Sequence, residues 1–226
     1  HGNRDQEVEI LDSLRSLKPA GLLIAPLGRS SDRAAIEAFS KKVPTVLFDS
    51  LLPDIGLAFS GSNNFQFGRL MVDYLCRSGA PPCFFEMKHP TNPNANKRRQ
   101  GYIAAMESLG HTPQVVSVAG EGWNFEDIGQ RGGFDVIAQG GFPSATVLCS
   151  NDRLAIGLLS ACYARNLPVG FAEGDLIRIA GMDDHPFSRF TCPPLTTIAQ
   201  DYEAISKHAV DTLFQRLEGD EITDKV

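Results

Sequence analysis

Short apolar runs alternate with amphipathic stretches along the whole chain. GLLIAPL (21–27), TVLFDS (45–50), GLAFSG (56–61), PCFFEM (82–87), VVSVAG (115–120), ATVLCSND (145–152) and LIRIAGMDD (176–184) read as strands. Each is nearly continuous in apolar residues, as strands covered on both faces are. The intervening stretches predict helices over 5–17, 31–41, 64–78, 97–109, 126–139, 152–165 and 201–217. In 152–165, Leu154, Ile156, Leu158, Leu159 and Cys162 fit a buried helix. Strands that alternate with helices of this size form βαβ units, so the expected class is α/β with a doubly wound parallel sheet. No internal repeat interrupts the pattern. The start is unusual, because a helix precedes the first strand. At least one βαβ unit, about 30 residues or more, is expected upstream of His1.

Composition narrows the function. The chain has 226 residues, 42% hydrophobic, which suffices for a sizeable core in one or two domains. Its net charge of −6 argues against nucleic-acid binding by this segment, which needs a basic patch. No run approaches the ~18 apolar residues of a membrane span. Five cysteines, an odd number with no CxxC pair, suit buried thiols in a reducing compartment. The five histidines show no HxxxH or HExxH spacing, so neither a metal nor a cofactor is expected. GxSxG, GxxxxGK[ST] and GxGxxG after a strand are all missing, and the adjacent acids Asp183 and Asp184 should point in different directions. An enzyme is not the expected reading, and no catalytic residue is assigned.

Open α/β sheets bind ligands beyond the carboxyl ends of their strands. Those positions hold Asp49 after TVLF, Ser150, Asn151 and Asp152 after ATVLC, Asp183 and Asp184 after IRIAGM, and Gln200 after PPLTTIA. Arg98 and Arg99 open a helix near the same rim. Carboxylates, an amide and a guanidinium suit a ligand rich in hydroxyls, and aromatic faces cover the apolar side of a sugar ring. Each residue also has a structural reading. Asn151 or Asp152 caps the helix that begins near 153, Asp184 caps a turn before Pro186, and Arg99 is a solvated helix residue. Trp123, in the loop GEGWNF, serves packing or binding.

Four stretches carry a family resemblance. IAGMDDHPFSRFTCPPLTTIAQDY (179–202) resembles the G-[FY]-D-D strand end and the PPLTT[IV]-x-Q segment of the LacI/GalR family of bacterial transcription regulators. CSNDRLAIGLLSACYARNLPVG (149–170) resembles its [AS]-N-D-x-x-A-x-G helix and G-x-x-V-P loop. KRRQGYIAAMESLG (97–110) resembles its R-x-x-G-[FYW] helix, and SNNFQFGRLMVDYLCRSG (62–79) the helix that enters the second lobe. The resemblance implies two doubly wound lobes of periplasmic-binding-protein type joined by a crossover hinge. Residues 1–60 plus 201–226 would form the first lobe, with its N-terminal strand region missing, and 61–200 the second. A third crossover would lie at or beyond Val226.

The same resemblance implies the site. Arg98 would hold ligand hydroxyls or a carboxylate, and Asn151 and Asp183 would pair on sugar hydroxyls. Asp49 would reach from the first lobe, while Gln200 and Tyr202 would line the hinge. Asp184 would support the turn. Two departures bear on the ligand. The aromatic expected near residue 124 is displaced, with Trp123 and Phe125 flanking Asn124. FFEMKHPTNPN (84–94) lacks a glycine-rich turn, so Glu86, Lys88 and His89 contact the ligand or the rim instead. The function implied is a cytoplasmic, homodimeric sensor of a small effector of the sugar class that binds operator DNA through an N-terminal helix-turn-helix outside this chain. The alternative is a periplasmic sugar-binding protein of a transport system.

Overall fold

The computed structural model describes residues 2–170 and 175–219. The chain divides into two compact units. The first comprises His1–Asn63, Thr91–Pro93 and Asp201–Val226, and the second Asn64–Pro90 and Asn94–Gln200. Residues 220–226, the expected tail of the first lobe, lie outside the described residues, as does a third crossover.

The first unit contains α1 (Arg4–Leu17), β1 (Leu22–Ile24), α2 (Arg33–Ser40), β2 (Thr45–Phe48), β3 (Ala58–Ser60) and α7 (Tyr202–Glu218). Its strands pair in parallel in the order β1-β2-β3. Caps set the helix starts. The Asn3 side chain accepts from the Asp5 and Gln6 amides, and Asp5 and Glu7 lie favourably in the first turn. Asp32 caps α2 through the Ala35 amide and Asp201 caps α7 through the Ala204 amide. The core gathers Leu11, Ile36, Phe39, Leu47 and Leu52.

The second unit contains α3 (Asn64–Cys76), β4 (Cys83–Met87), α4 (Asn94–Ser108), β5 (Val115–Val118), α5 (Phe125–Ala138), β6 (Thr146–Cys149), α6 (Asp152–Ala164) and β7 (Arg178–Ala180). All pairings are parallel, in the order β5-β4-β6-β7. Parallel bridges from Ala180 to Thr196 and from Asp183 to Ala199 carry the pairing on to the 196–199 segment. Side chains alternate between two faces. Phe84, Leu148 and Ala180 pack with α3 and α4. Cys83, Phe85, Val147, Cys149 and Ile179 pack with α5 and α6.

Glycines let each helix pair close. A Cβ on Gly101 would lie 1.9 Å from the Phe65 carbonyl oxygen, and one on Gly68 would lie 2.2 Å from that of Arg98. On the other face, a Cβ on Gly157 would meet the Glu126 carbonyl oxygen at 2.1 Å. Two glycines of the quoted motifs, Gly101 and Gly157, are therefore packing residues. Tyr102 is fully buried. Its hydroxyl accepts from the Gln114 amide at 2.9 Å and donates to the Pro82 carbonyl at 2.9 Å.

Strands are shorter than the apolar runs. GLLIAPL yields only Leu22–Ile24 because Pro26 has no amide to donate and the chain turns at Gly28, φ +73°. LIRIAGMDD yields Arg178–Ala180, after which Asp183 and Asp184 both adopt positive φ.

Candidate functional site

Arg98 lies in the second turn of α4 and is 5% exposed. Its guanidinium donates to acceptors on three different segments. Nε reaches Asn64 Oδ1 at 2.7 Å, Nη1 the Ser150 carbonyl at 2.8 Å, and Nη2 Asp183 Oδ1 at 2.5 Å. A planar fork with fixed donor directions suits three acceptors at once, and an ammonium could not replace it. Arg98 thus joins the head of α3, the end of β6 and the turn after β7.

Asp183 receives a second donor, Gln200 Nε2, on the same Oδ1 at 2.8 Å. Its other oxygen, Oδ2, remains for a further donor. The side chain keeps 25% exposure, against 6% for Arg98. Its backbone is held at φ +134°, followed by Asp184 at +52°. Such conformations are costly for non-glycine residues and persist where surroundings impose them. The imposing contact is the Asp183 amide, which donates to the Ile198 carbonyl at 2.9 Å.

Asn151 is the N-cap of α6, and its Oδ1 accepts from the Leu154 amide at 2.8 Å. The cap uses only the oxygen, so the amide nitrogen is the group Asn151 can offer a ligand. Asp152 is not the cap. It sits inside the first turn, fully buried, and faces the loop after β7. Oδ2 accepts from the His185 amide and the Ser188 hydroxyl, each at 2.8 Å, and Oδ1 from the Thr197 hydroxyl at 2.7 Å. Burial raises its pKa above the ordinary carboxylate value, opposed by those hydrogen bonds. Asp184 is exposed, and its amide donates to Thr197 Oγ1 at 3.2 Å.

The remaining expected residues are distributed as follows. Trp123 precedes α5, half-buried, with its ring edge-on to Phe125 at 5.8 Å. Its indole N–H is buried with no acceptor among the described residues. Arg153 stacks over the same Phe125 and binds Glu126 through two bonds of 2.6 Å, which hold the Glu126 carboxyl below its usual range. Asp49 and Tyr202 belong to the first unit. Asp49 follows β2 at φ +59°, its amide donating to the Ser60 carbonyl at 3.0 Å. Tyr202 opens α7 and is 57% exposed. Arg98, Asp183 and Gln200 are thus bonded together within the second unit, and Asn151 is the neighbour of the Ser150 carbonyl that Arg98 holds.

Glu86 occupies an unusual place. It is 2% exposed on central strand β4, on the α4 face, where Ser117 Oγ donates to Oε1 at 3.1 Å and Arg99 approaches the same oxygen at 3.2 Å. Oε2 is buried without a partner among the described residues, and burial raises the Glu86 pKa against the pull of Arg99 and Ser117. Lys88 and His89 are exposed beyond the strand end. Sequence reasoning missed Asn64 and the tether made by Asp152. The only signal for Asn64 is a polar residue at the head of a helix whose first turns are rich in apolar side chains.

Three of the five cysteines, Cys83, Cys149 and Cys162, are buried. Burial pushes the Cys83 thiol up to about 12 and that of Cys162 to about 11, and it raises Cys149 as well. Such thiols stay protonated and inert. Among the described residues no group of His, Cys, Asp or Glu is arranged to hold a metal.

The model of the periplasmic binding protein-like domain matches residues 72–226. The chain belongs to that family. It is 29% identical over 209 residues to the HTH-type transcriptional repressor PurR of Pasteurella multocida, covering 92% of this chain and 60% of that protein. The chain therefore spans about three-fifths of the length of the curated relatives it matches. Among solved structures, a dimeric Lac repressor superposes with a TM-score of 0.78 at 24% identity, over 95% of this chain and 76% of that one. A LacI family transcriptional regulator of Enterococcus faecium, with bound ribose, superposes at 0.78 and 18% identity, over 96% and 78%. These likenesses bear out the two-sheet parallel α/β fold expected from the sequence. Two of the three are named as repressors and the third as a transcriptional regulator, and none is named as an enzyme.

Proposed function

We propose that this domain is the effector-binding and dimerisation core of a LacI-family transcriptional regulator acting in the cytoplasm. Its ligand is a small polyhydroxylated molecule, a sugar or a sugar-bearing compound. The observation that carries the reading is the state of Asp183. Arg98 and Gln200 saturate one oxygen and fix the carboxylate, while the second oxygen is left to accept from a ligand hydroxyl. The amide nitrogen of Asn151 supplies a donor to go with that acceptor, a pairing that suits vicinal hydroxyls. Gln200 lines the same site. Trp123, in the loop before α5, is a further candidate contact of the second unit. The ligand is bound and released unchanged.

Binding is expected to favour one conformation of the domain. The coupling to operator affinity is limited to the difference in ligand affinity between conformations, typically ~1–3 kcal/mol. Operator contact falls to the helix-turn-helix of the whole regulator. Homodimerisation fits Phe187 and Phe190, which are 65% and 75% exposed on one turn of the second unit. Exposed aromatic side chains on one turn suit a protein interface.

The test is thermal shift against monosaccharides, disaccharides, sugar phosphates and purines. A ligand at ~100 times its dissociation constant adds about 2.7 kcal/mol. Asp183→Asn is the control, because it keeps an acceptor for Arg98 while weakening the ligand contact. A shift with one compound, lost in the variant, supports the site. A shift that survives it places the ligand elsewhere.

A further inference from the structure

Asp152 is a fully buried carboxylate whose side chain is hydrogen-bonded to His185, Ser188 and Thr197 and not to Arg98, Asn151 or Asp183. Its four bonds nonetheless surround them. The Asp152 amide donates to the Met182 carbonyl at 3.0 Å, directly before Asp183. Its carboxylate receives the His185 amide, the Ser188 hydroxyl and the Thr197 hydroxyl. Thr197 belongs to the segment that runs on to Gln200, and its backbone neighbour Ile198 accepts from Asp183. Gly181 makes the approach feasible, because a Cβ there would lie 2.2 Å from Asp152 Oδ1. The same bonds hold the 185–190 turn, in which Ser188 stands between the exposed Phe187 and Phe190.

We propose that Asp152 is the positioning residue that links the Asn151–Asp183 site to the aromatic turn. It sets the spacing of the two ligand-facing groups from behind, and it fixes the pose in which Phe187 and Phe190 meet a second copy of the chain. The links are short, directional and shielded from water, so a change in the spacing of Asn151 and Asp183 is passed to Ser188 rather than absorbed by solvent. The role in assembly rests on the dimer reading given above, whereas the role in holding the turn does not.

The His185 amide supplies a direct readout, because its acceptor is the Asp152 carboxylate. Hydrogen exchange and sedimentation would be measured for the full chain and for Asp152→Asn, Asp152→Ala and a core control, Leu158→Ala. In Asp152→Ala, exchange at His185 and through the 185–190 turn should rise at least about tenfold beyond the change elsewhere in the second unit. Self-association should weaken in step. Asp152→Asn should recover most of the protection. Its amide oxygen still serves the His185 N–H and the Ser188 hydroxyl, which share one oxygen, and the Thr197 hydroxyl can rotate to accept from the amide nitrogen. A uniform rise in Asp152→Ala, matching Leu158→Ala, would overturn the proposal and leave Asp152 an ordinary buried polar group. A wild-type chain that stays monomeric would defeat the dimer reading alone, since exchange at His185 still decides the role of Asp152.

Discussion

Two adjacent arginines of α4 make opposite bargains with the sheet beneath them. Arg98 is buried, with a side-chain exposure of 6%, and its partner Asp183 is a quarter exposed. Arg99 is 45% exposed, and its partner Glu86 is buried at 3%. In the first pair the cation is desolvated, and three acceptors compensate it. The carboxylate is held by one oxygen and can offer the other. In the second pair the carboxylate is desolvated with one oxygen unpartnered, and the cation stays largely in water. An ion pair adds little to stability when one member is solvated, and it costs much to break when a buried charge is left behind. One helix thus carries a pair that presents a carboxylate toward a ligand and, one residue later, a pair that ties a helix to a strand.

The largest expected effect comes from breaking the first pair at its buried member. Arg98→Ala should cost about 3 kcal/mol, the lower end for a buried pair because Asp183 is partly solvated. Calorimetry should show the transition about 6–12 °C lower. A loss under about 1 kcal/mol would mean that the guanidinium does not hold the three segments together.

Gly101→Ala tests both pairs together. The added methyl meets the Phe65 carbonyl oxygen, so α4 must move away from α3 and take both arginines with it. The expected cost is about 2–3 kcal/mol, as for overpacked cores. Urea unfolding checks it: a midpoint unchanged from wild type would show that the helices separate freely.

The second pair should respond less, and in a way that depends on pH. Burial raises the Glu86 pKa above 4.5, so the folded state binds its proton more tightly than the unfolded chain. Glu86 therefore lowers stability as pH rises from the unfolded value through the folded one, and the deficit is complete above it. Arg99→Ala should deepen the deficit at pH 7 by about 1 kcal/mol or less, given the solvation of Arg99, and should do little at pH 4. Glu86→Gln should remove this contribution and flatten the stability profile between those pH values. A slope that survives Glu86→Gln would assign the dependence to another carboxylate, with Asp152 the next to test because burial raises it too.

The sequence pattern disclosed the helices better than the limits of the strands. Leu154, Leu158, Leu159 and Cys162 are buried along α6 as their spacing requires, while Ile156, expected with them, is half-buried. Asp32 moves the start of α2 to Arg33, because a side chain that accepts the Ala35 amide ends the extended chain there. An apolar run only says which residues avoid water. Where a strand stops depends on where its neighbour stops, on a proline without an amide, and on turns forced to positive φ.

The candidate site divides in the same way. Residue type and position after an apolar run marked Asn151, Asp183 and Gln200, because a parallel sheet brings the ends of its strands to one rim, whereas Arg98 was marked by its place near the start of a helix and by the family resemblance. The roles of Asn64, Asp152 and Glu86 depend on contacts between elements 34, 33–45 and 31 positions apart in the chain. The local sequence of Asn151 and Asp152 permits either to cap α6. The tertiary structure gives the cap to Asn151 and turns Asp152 onto the loop after β7, where three donors compensate its buried charge. The sequence by itself determined the parallel α/β architecture, the order of its elements and the residues at the sheet rim, since burial periodicity and strand ends are local properties. Only the tertiary structure decided which carboxylate is desolvated and which oxygen remains to be used, because both depend on partners brought from distant segments.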